Sequence, residues 1–181
     1  MIKKKKIKIS IVVGSRPNFI KVAPLIEEFK KHPEFETILI HTGQHYDHKM
    51  SELFFEDLGI PKPNYNFKVG SGLHGIQTAK IMIEFEKNCL KEKPNMVVVM
   101  GDVNSTLAGA LVAAKLHIPI AHIESGLRSY DMKMPEEINR VLTDRVSNIL
   151  FCSTLTAIKN LKKEGIKKMF TILVILFLIH Y

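Results

Sequence analysis

Apolar residues along this chain fall into two alternating rhythms. Short runs rich in β-branched residues, such as Ile7 to Val13 and Met96 to Met100, alternate with longer stretches whose apolar positions recur every three or four residues. The first rhythm suits strands buried on both faces of a parallel sheet, and the second suits amphipathic helices. Strands are expected at residues 7–13, 37–41, 96–100, 118–123 and 149–152. Helices are expected around 19–29, 50–58, 76–90, 108–116, 136–146 and 154–164. Pro24 falls inside the first of these helices and is tolerable only near its first turn. Strict strand–helix alternation with right-handed crossovers predicts an α/β fold built on a doubly wound parallel sheet.

In such a sheet the loops after the strand C-termini gather on one edge, where ligands bind. Asp102 follows the strand at 96–100 and Gly101, Glu124 ends the strand at 118–123, and Glu136 opens the helix after Pro135. Three carboxylates brought to one edge suit proton transfer. Each also has a plain structural reading. Asp102 can cap a helix in company with Asn104, Ser105 or Thr106. Glu124 can pair with a neighbouring arginine such as Arg128. Glu136 and Glu137 can do no more than complement a helix dipole behind Pro135. Glu136, Asn139 and Arg140 occupy neighbouring helical positions and would present an acid, an amide and a cation together.

Two further loops carry candidates. Arg16 follows the first strand in Gly14-Ser15-Arg16-Pro17-Asn18, where a guanidinium offers a planar fork to an anion; the loop has neither dinucleotide-binding nor P-loop spacing. Gln44 and His45 follow the second strand and suit hydrogen bonding to a polar ligand such as a sugar. His41, His45 and His48 with Asp47 match no zinc motif, so no metal site and no cofactor are expected.

Composition narrows the reading. The 181 residues carry a formal charge of +8, partly from a lysine run at the N-terminus. That balance suits an anionic ligand, whereas no basic stripe, zinc-finger spacing or other nucleic-acid motif is present. Cys89 and Cys152 stand far apart with no Cys-x-x-Cys pattern, and the early apolar run is too short for a signal peptide, so a cytoplasmic protein is expected. Residues 170–179 are almost wholly apolar yet shorter than the ~20 residues that span a bilayer. The run could be a buried strand, a membrane-dipping tail or out-of-frame sequence; with no sheet of its own to join, it is expected to aggregate or to adsorb to a membrane.

Taken together, Gly14 to Asn18 with Lys21 and Pro24, Thr42-Gly43-Gln44-His45, Gly101-Asp102, His122-Ile123-Glu124-Ser125-Gly126-Leu127-Arg128 and Pro135-Glu136-Glu137-Ile138-Asn139-Arg140 resemble the non-hydrolysing UDP-N-acetylglucosamine 2-epimerases. The resemblance runs in order along about residues 8 to 165. It implies a Rossmann-like N-terminal domain, residues 1–165, of a two-domain glycosyltransferase-B-type architecture. The implied reaction interconverts UDP-N-acetylglucosamine and UDP-N-acetylmannosamine by eliminating UDP and adding it back. Asp102, Glu124 and Glu136 match the family's catalytic acids, with Arg16, Gln44, His45 and Arg140 around the sugar and its phosphates. Nothing after Gly165 resembles the second domain, which supplies a catalytic histidine and most nucleotide contacts; residues 166–181 suggest a frameshift. A fragment inactive alone, half of a split protein with a separately encoded C-terminal partner, a sugar-binding or regulatory half-domain, and a related glycosyltransferase-B-type enzyme are the readings to separate. A homodimer is expected by resemblance.

Overall fold

The computed structural model describes residues 6–44, 59–167 and 169–172. The helix expected at 50–58, together with His45, Asp47 and His48, lies outside them. Seven parallel strands form one sheet: β1 (Ile7–Val13), β2 (Phe35–His41), β3 (Tyr65–Asn66), β4 (Met96–Met100), β5 (Ile120–Ser125), β6 (Ile149–Cys152) and β7 (Met169–Ile172). Among the described residues five helices connect them: α1 (Arg16–Lys30), α2 (His74–Glu92), α3 (Asn104–Lys115), α4 (Pro135–Val146) and α5 (Leu155–Lys163). The strand order is β3-β2-β1-β4-β5-β6-β7. The chain therefore steps outward one way from β1 to β3, then crosses back and steps the other way from β4 to β7. The reversal lies between β1 and β4, and it opens a crevice at their C-terminal ends.

Strand side chains are buried on both sides, as their apolar runs demand. Phe19, Val22 and Ile26 of α1 pack on Ile9, Ile11, Val13, Val98 and Met100. On the opposite face, Phe85 and Cys89 of α2 and Ala110 and Ala113 of α3 pack on Val12, Ile40, Val97 and Val99. Leu161 and Ala157 of α5 close over Leu150 and Cys152. Cys89 and Cys152 are buried free thiols. No helix among the described residues is long and apolar enough to cross a membrane.

The structure departs from the pattern reading in four places. Pro24 sits in the third turn of α1 rather than its first; the carbonyl it leaves without a donor belongs to Ile20, on the exposed side of the helix. Helix α3 starts at Asn104, a full turn before its apolar run, because its polar first turn is buried and bonded to neighbouring loops. Strand β5 continues through Glu124 to Ser125 by way of a register shift against β6. Finally, residues 169–172 are not without a sheet. They pair with β6, Leu150 opposite Phe170 and Cys152 opposite Ile172, because the outer edge of β6 offers backbone donors and acceptors that an extended apolar segment can satisfy.

Candidate functional site

The crevice floor is built by close packing of loops. Gly14 ends β1 where a side chain has no room: a Cβ there would overlap the Ser105 hydroxyl. Asn18, 5% exposed, folds its Oδ1 back to accept from the Gly14 and Ser15 amides at 3.3 and 3.2 Å and from the Ser15 hydroxyl at 2.9 Å, which fixes the entry to α1. Gln44 reaches from the end of β2 to α3, its Oε1 accepting from the Ser105 amide at 2.9 Å and the Ser105 hydroxyl at 2.6 Å. In effect Gln44 serves as the cap of α3, since Val103 at the N-cap position makes no side-chain cap bond. Gln77 of α2 donates to the Gln44 and Gly70 carbonyls at 3.0 and 2.8 Å and accepts from Asn104 at 2.8 Å.

Over this floor lies a pocket of about 190 Å3 whose lining includes Gln44, His74, Gln77, Asp102, Glu136 and Asn139. Asp102 does not cap α3. Its Oδ2 accepts from Arg140 Nη2 at 2.5 Å, with the two side chains 31% and 17% exposed. Asn139 holds the same turn by donating to the Asp102 carbonyl at 2.8 Å. Arg140 also donates to Glu137 at 2.9 Å. Burial alone would lower the Arg140 pKa, but its two carboxylate partners hold it above the ordinary arginine value.

Glu136 and Glu137 part company completely. Glu137 is 1% exposed and turned inward, where it accepts from the Ser129 and Tyr130 amides, each at 3.0 Å, as well as from Arg140. Burial pushes its carboxyl up, yet those donors outweigh it and keep the pKa below the usual carboxylate range. Glu136 is half-buried at the pocket wall and meets no hydrogen-bond or ion-pair partner among the described residues.

Glu124 lies against Gly101, the residue before Asp102. A methyl group placed on Gly101 would stand 3.4 Å from its Oε2 and 3.5 Å from the Asn18 amide nitrogen. The carboxylate pairs with Lys21 Nζ of α1 at 2.6 Å, the side chains 19% and 22% exposed. Its expected arginine partner, Arg128, instead turns inward to Asp144 and Glu164. Glu124 has φ +68° at the strand irregularity, a left-handed conformation that costs a non-glycine residue roughly 1–2 kcal/mol.

Thus Asp102, Glu136 and Gln44 line one pocket, Arg140 holds Asp102, and Glu124 lies against Gly101, the residue before Asp102. Arg16 occupies the exposed first position of α1. Sequence patterns pass over Lys21, although it lies five residues after Arg16 in the same motif. They also pass over His74 and Gln77, two polar residues among many on an amphipathic helix, and name Asn104 only as a possible cap. Among the described residues no group of three or more His, Cys, Asp or Glu side chains is placed to hold a metal ion.

Comparison with known proteins places this geometry in context. Residues 27–175 match a family model described as UDP-N-acetylglucosamine 2-epimerase. A Methanococcus maripaludis protein named UDP-N-acetylglucosamine 2-epimerase homolog is 60% identical over 159 residues, which are 88% of this chain and 44% of that protein. The UDP-2,3-diacetamido-2,3-dideoxy-D-glucuronate 2-epimerase of Pseudomonas aeruginosa is 56% identical over 161 residues, 89% of this chain and 46% of that one. The crystal structure of the Methanocaldococcus jannaschii UDP-GlcNAc 2-epimerase, in complex with UDP-GlcNAc and UDP, superposes with a TM-score of 0.88 at 53% identity, over 92% of this chain and 46% of that chain. The chain spans somewhat under half the length of the curated relatives it matches.

Proposed function

Because this chain belongs to the UDP-N-acetylglucosamine 2-epimerase family, we propose that it carries the acid–base half of an enzyme that interconverts UDP-N-acetylglucosamine and UDP-N-acetylmannosamine. The observation that carries the reading is the meeting of Asp102 and Glu136 in one pocket at the strand-order reversal, with Arg140 paired to Asp102 and Lys21 paired to Glu124, which lies against Gly101 next in sequence to Asp102. The chemistry needs a carboxylate to take the proton from the second sugar carbon while the C1–oxygen bond breaks and its electron pair leaves with UDP. A carboxyl group then returns a proton to the opposite face as UDP adds back. Glu136, with no partner among the described residues, is a carboxylate open to such a role, and the cations at Arg140, Lys21 and Arg16 suit the departing diphosphate. Gln44 and His45 complete the proposed sugar-binding set; neither metal nor nicotinamide enters the reaction.

The relatives are about twice as long, so the nucleotide-binding half of the cleft is proposed to come from a second segment, and residues 6–167 alone are expected to give no turnover. Two buried free thiols suit a reducing cytoplasm. A second substrate is favoured by the Pseudomonas relative, whose identity of 56% stands beside the 55% of the Methanocaldococcus jannaschii enzyme: a UDP-2,3-diacetamido sugar acid. The test joins this chain, after Lys167, to the C-terminal half of the Methanocaldococcus relative and follows epimer formation and free UDP with each nucleotide sugar. Turnover of UDP-N-acetylglucosamine supports the reading, turnover of only the diacetamido sugar shifts it to the second, and an inert, folded fusion sinks both.

A further inference from the structure

Under the open edge lies a sealed cluster of charges that the reaction does not touch. His122 is fully buried on β5. Its Nδ1 stands 2.7 Å from Asp144 Oδ1, and its Nε2 stands 2.8 Å from the Gly101 carbonyl. Asp144, also fully buried, takes hydrogens from the Gly126 amide at 3.0 Å and from Arg128 Nη1 at 2.7 Å. Arg128 in turn holds Glu164 at 2.6 and 2.8 Å. A carbonyl oxygen only accepts, and a carboxylate already serving an arginine and an amide is ionised. A neutral imidazole has one N–H and would leave one of the ring's two short contacts as acceptor facing acceptor. The ring therefore donates from both nitrogens.

The bonds of this pair end at three places that matter. Gly101 immediately precedes Asp102, Gly126 follows Glu124 by two residues, and Asp144 lies on α4, the helix that has Glu136 in its first turn and carries Arg140 one turn before Asp144. We infer that His122 and Asp144 are positioning residues, a buried imidazolium–carboxylate pair that holds the Asp102 turn, the Glu124 turn and the Glu136 helix in one register. The inference rests on those three carboxylates being the reacting groups, but the pair itself is independent of any assay for turnover.

The test uses the whole chain labelled with 15N-histidine, together with uniformly labelled parent, Asp144→Asn and Asp144→Ala proteins at pH 7. In the parent both ring nitrogens of His122 should carry a proton in long-range 1H–15N correlation spectra. Asp144→Asn keeps an oxygen for Gly126 and Arg128 and offers an amide N–H to the ring, so one ring proton should vanish while the Gly101, Asp102 and Glu124 amide signals stay in place. Asp144→Ala should displace the signals of all three turns together and speed amide exchange at Gly101 and Gly126 by roughly tenfold or more, leaving β1 and β2 protected. A parent ring with a single N–H overturns the ion pair, and displacement confined to one turn overturns the shared register. Should Asp144→Ala fail to fold, the parent and the Asn variant decide. Because no readout requires turnover, an inert fusion enzyme would count against the epimerase reading and leave this one standing.

Discussion

Two clusters of acids and cations lie within one strand-end edge and are built on opposite terms. In the lower one, His122 and Asp144 are fully buried and Arg128 is 1% exposed at its side chain, and each bonds a partner. In the upper one, Asp102, Arg140, Glu124 and Lys21 are 17–31% exposed at their side chains, and Glu136 has no partner among the described residues. The same residue types support the fold below and stand available to a ligand above. What separates them is whether every hydrogen-bonding group is matched within the protein. The lower cluster repays its desolvation only as a complete set; the upper one keeps capacity in reserve.

The largest expected break in that contrast is Asp144→Ala, which removes the carboxylate that His122 and Arg128 share in the interior. It should cost ~3–5 kcal/mol and lower the thermal midpoint by roughly 10 °C, measured by calorimetry. A loss below ~1 kcal/mol would mean the lower cluster is no more structural than the upper.

His41 sharpens the contrast as a buried group whose Nε2 finds no partner among the described residues; it packs edge-on to Phe19 at 5.1 Å. Burial lowers its pKa to about 4. The unfolded chain thus binds a proton near pH 6.5 that the folded chain refuses, so stability present above pH 6.5 drains away as pH falls toward 4. The shift corresponds to at most ~3 kcal/mol. Denaturant titrations at pH 7.5 and 4.5 should show the loss, and His41→Phe should remove most of it. The depressed carboxyl of Asp144 acts in a lower window, losing its contribution as pH falls below the ordinary carboxylate range.

In the upper cluster the expectation inverts. Asp102→Asn, Glu124→Gln and Glu136→Gln in the fused enzyme should each lower turnover by roughly a hundredfold, with Glu136→Gln changing stability by less than ~0.5 kcal/mol. Near-parental rates in all three variants would return these residues to the status of ordinary surface acids. The smallest effect is expected from Lys21→Ala, ~1 kcal/mol or less in stability for a partly exposed pair, read by urea titration.

Much of the architecture was legible because apolar periodicity is local. The strands at 7–13, 96–100 and 149–152 and the α/β alternation follow from it directly. Strand β3 escaped because two residues at Tyr65–Asn66 carry no period, and β7 was legible only as one of several readings of the apolar tail, because that run carries no hint that β6 has a free edge. At the site, placing Asp102 and Glu136 near one another needed only the rule that strand ends share an edge. Choosing Lys21 rather than Arg128 as the partner of Glu124 needed the irregularity in β5, which turns Glu124 toward α1 while Arg128 goes inward. Glu136 and Glu137 are equivalent in sequence pattern; only the packing of residues 129 and 130 against one of them tells them apart.

The left-handed backbone at Glu124 has a bearing on how this chain would fare in the hands of a protein engineer. Glycine there would relax the backbone and, by a stability screen alone, would rank as an improvement. It would also delete the carboxylate that we propose takes part in the reaction. On that proposal, selection for robustness and selection for chemistry pull this position in opposite directions, and a library sorted first on heat resistance would drift toward well-folded proteins that lack the Glu124 carboxylate.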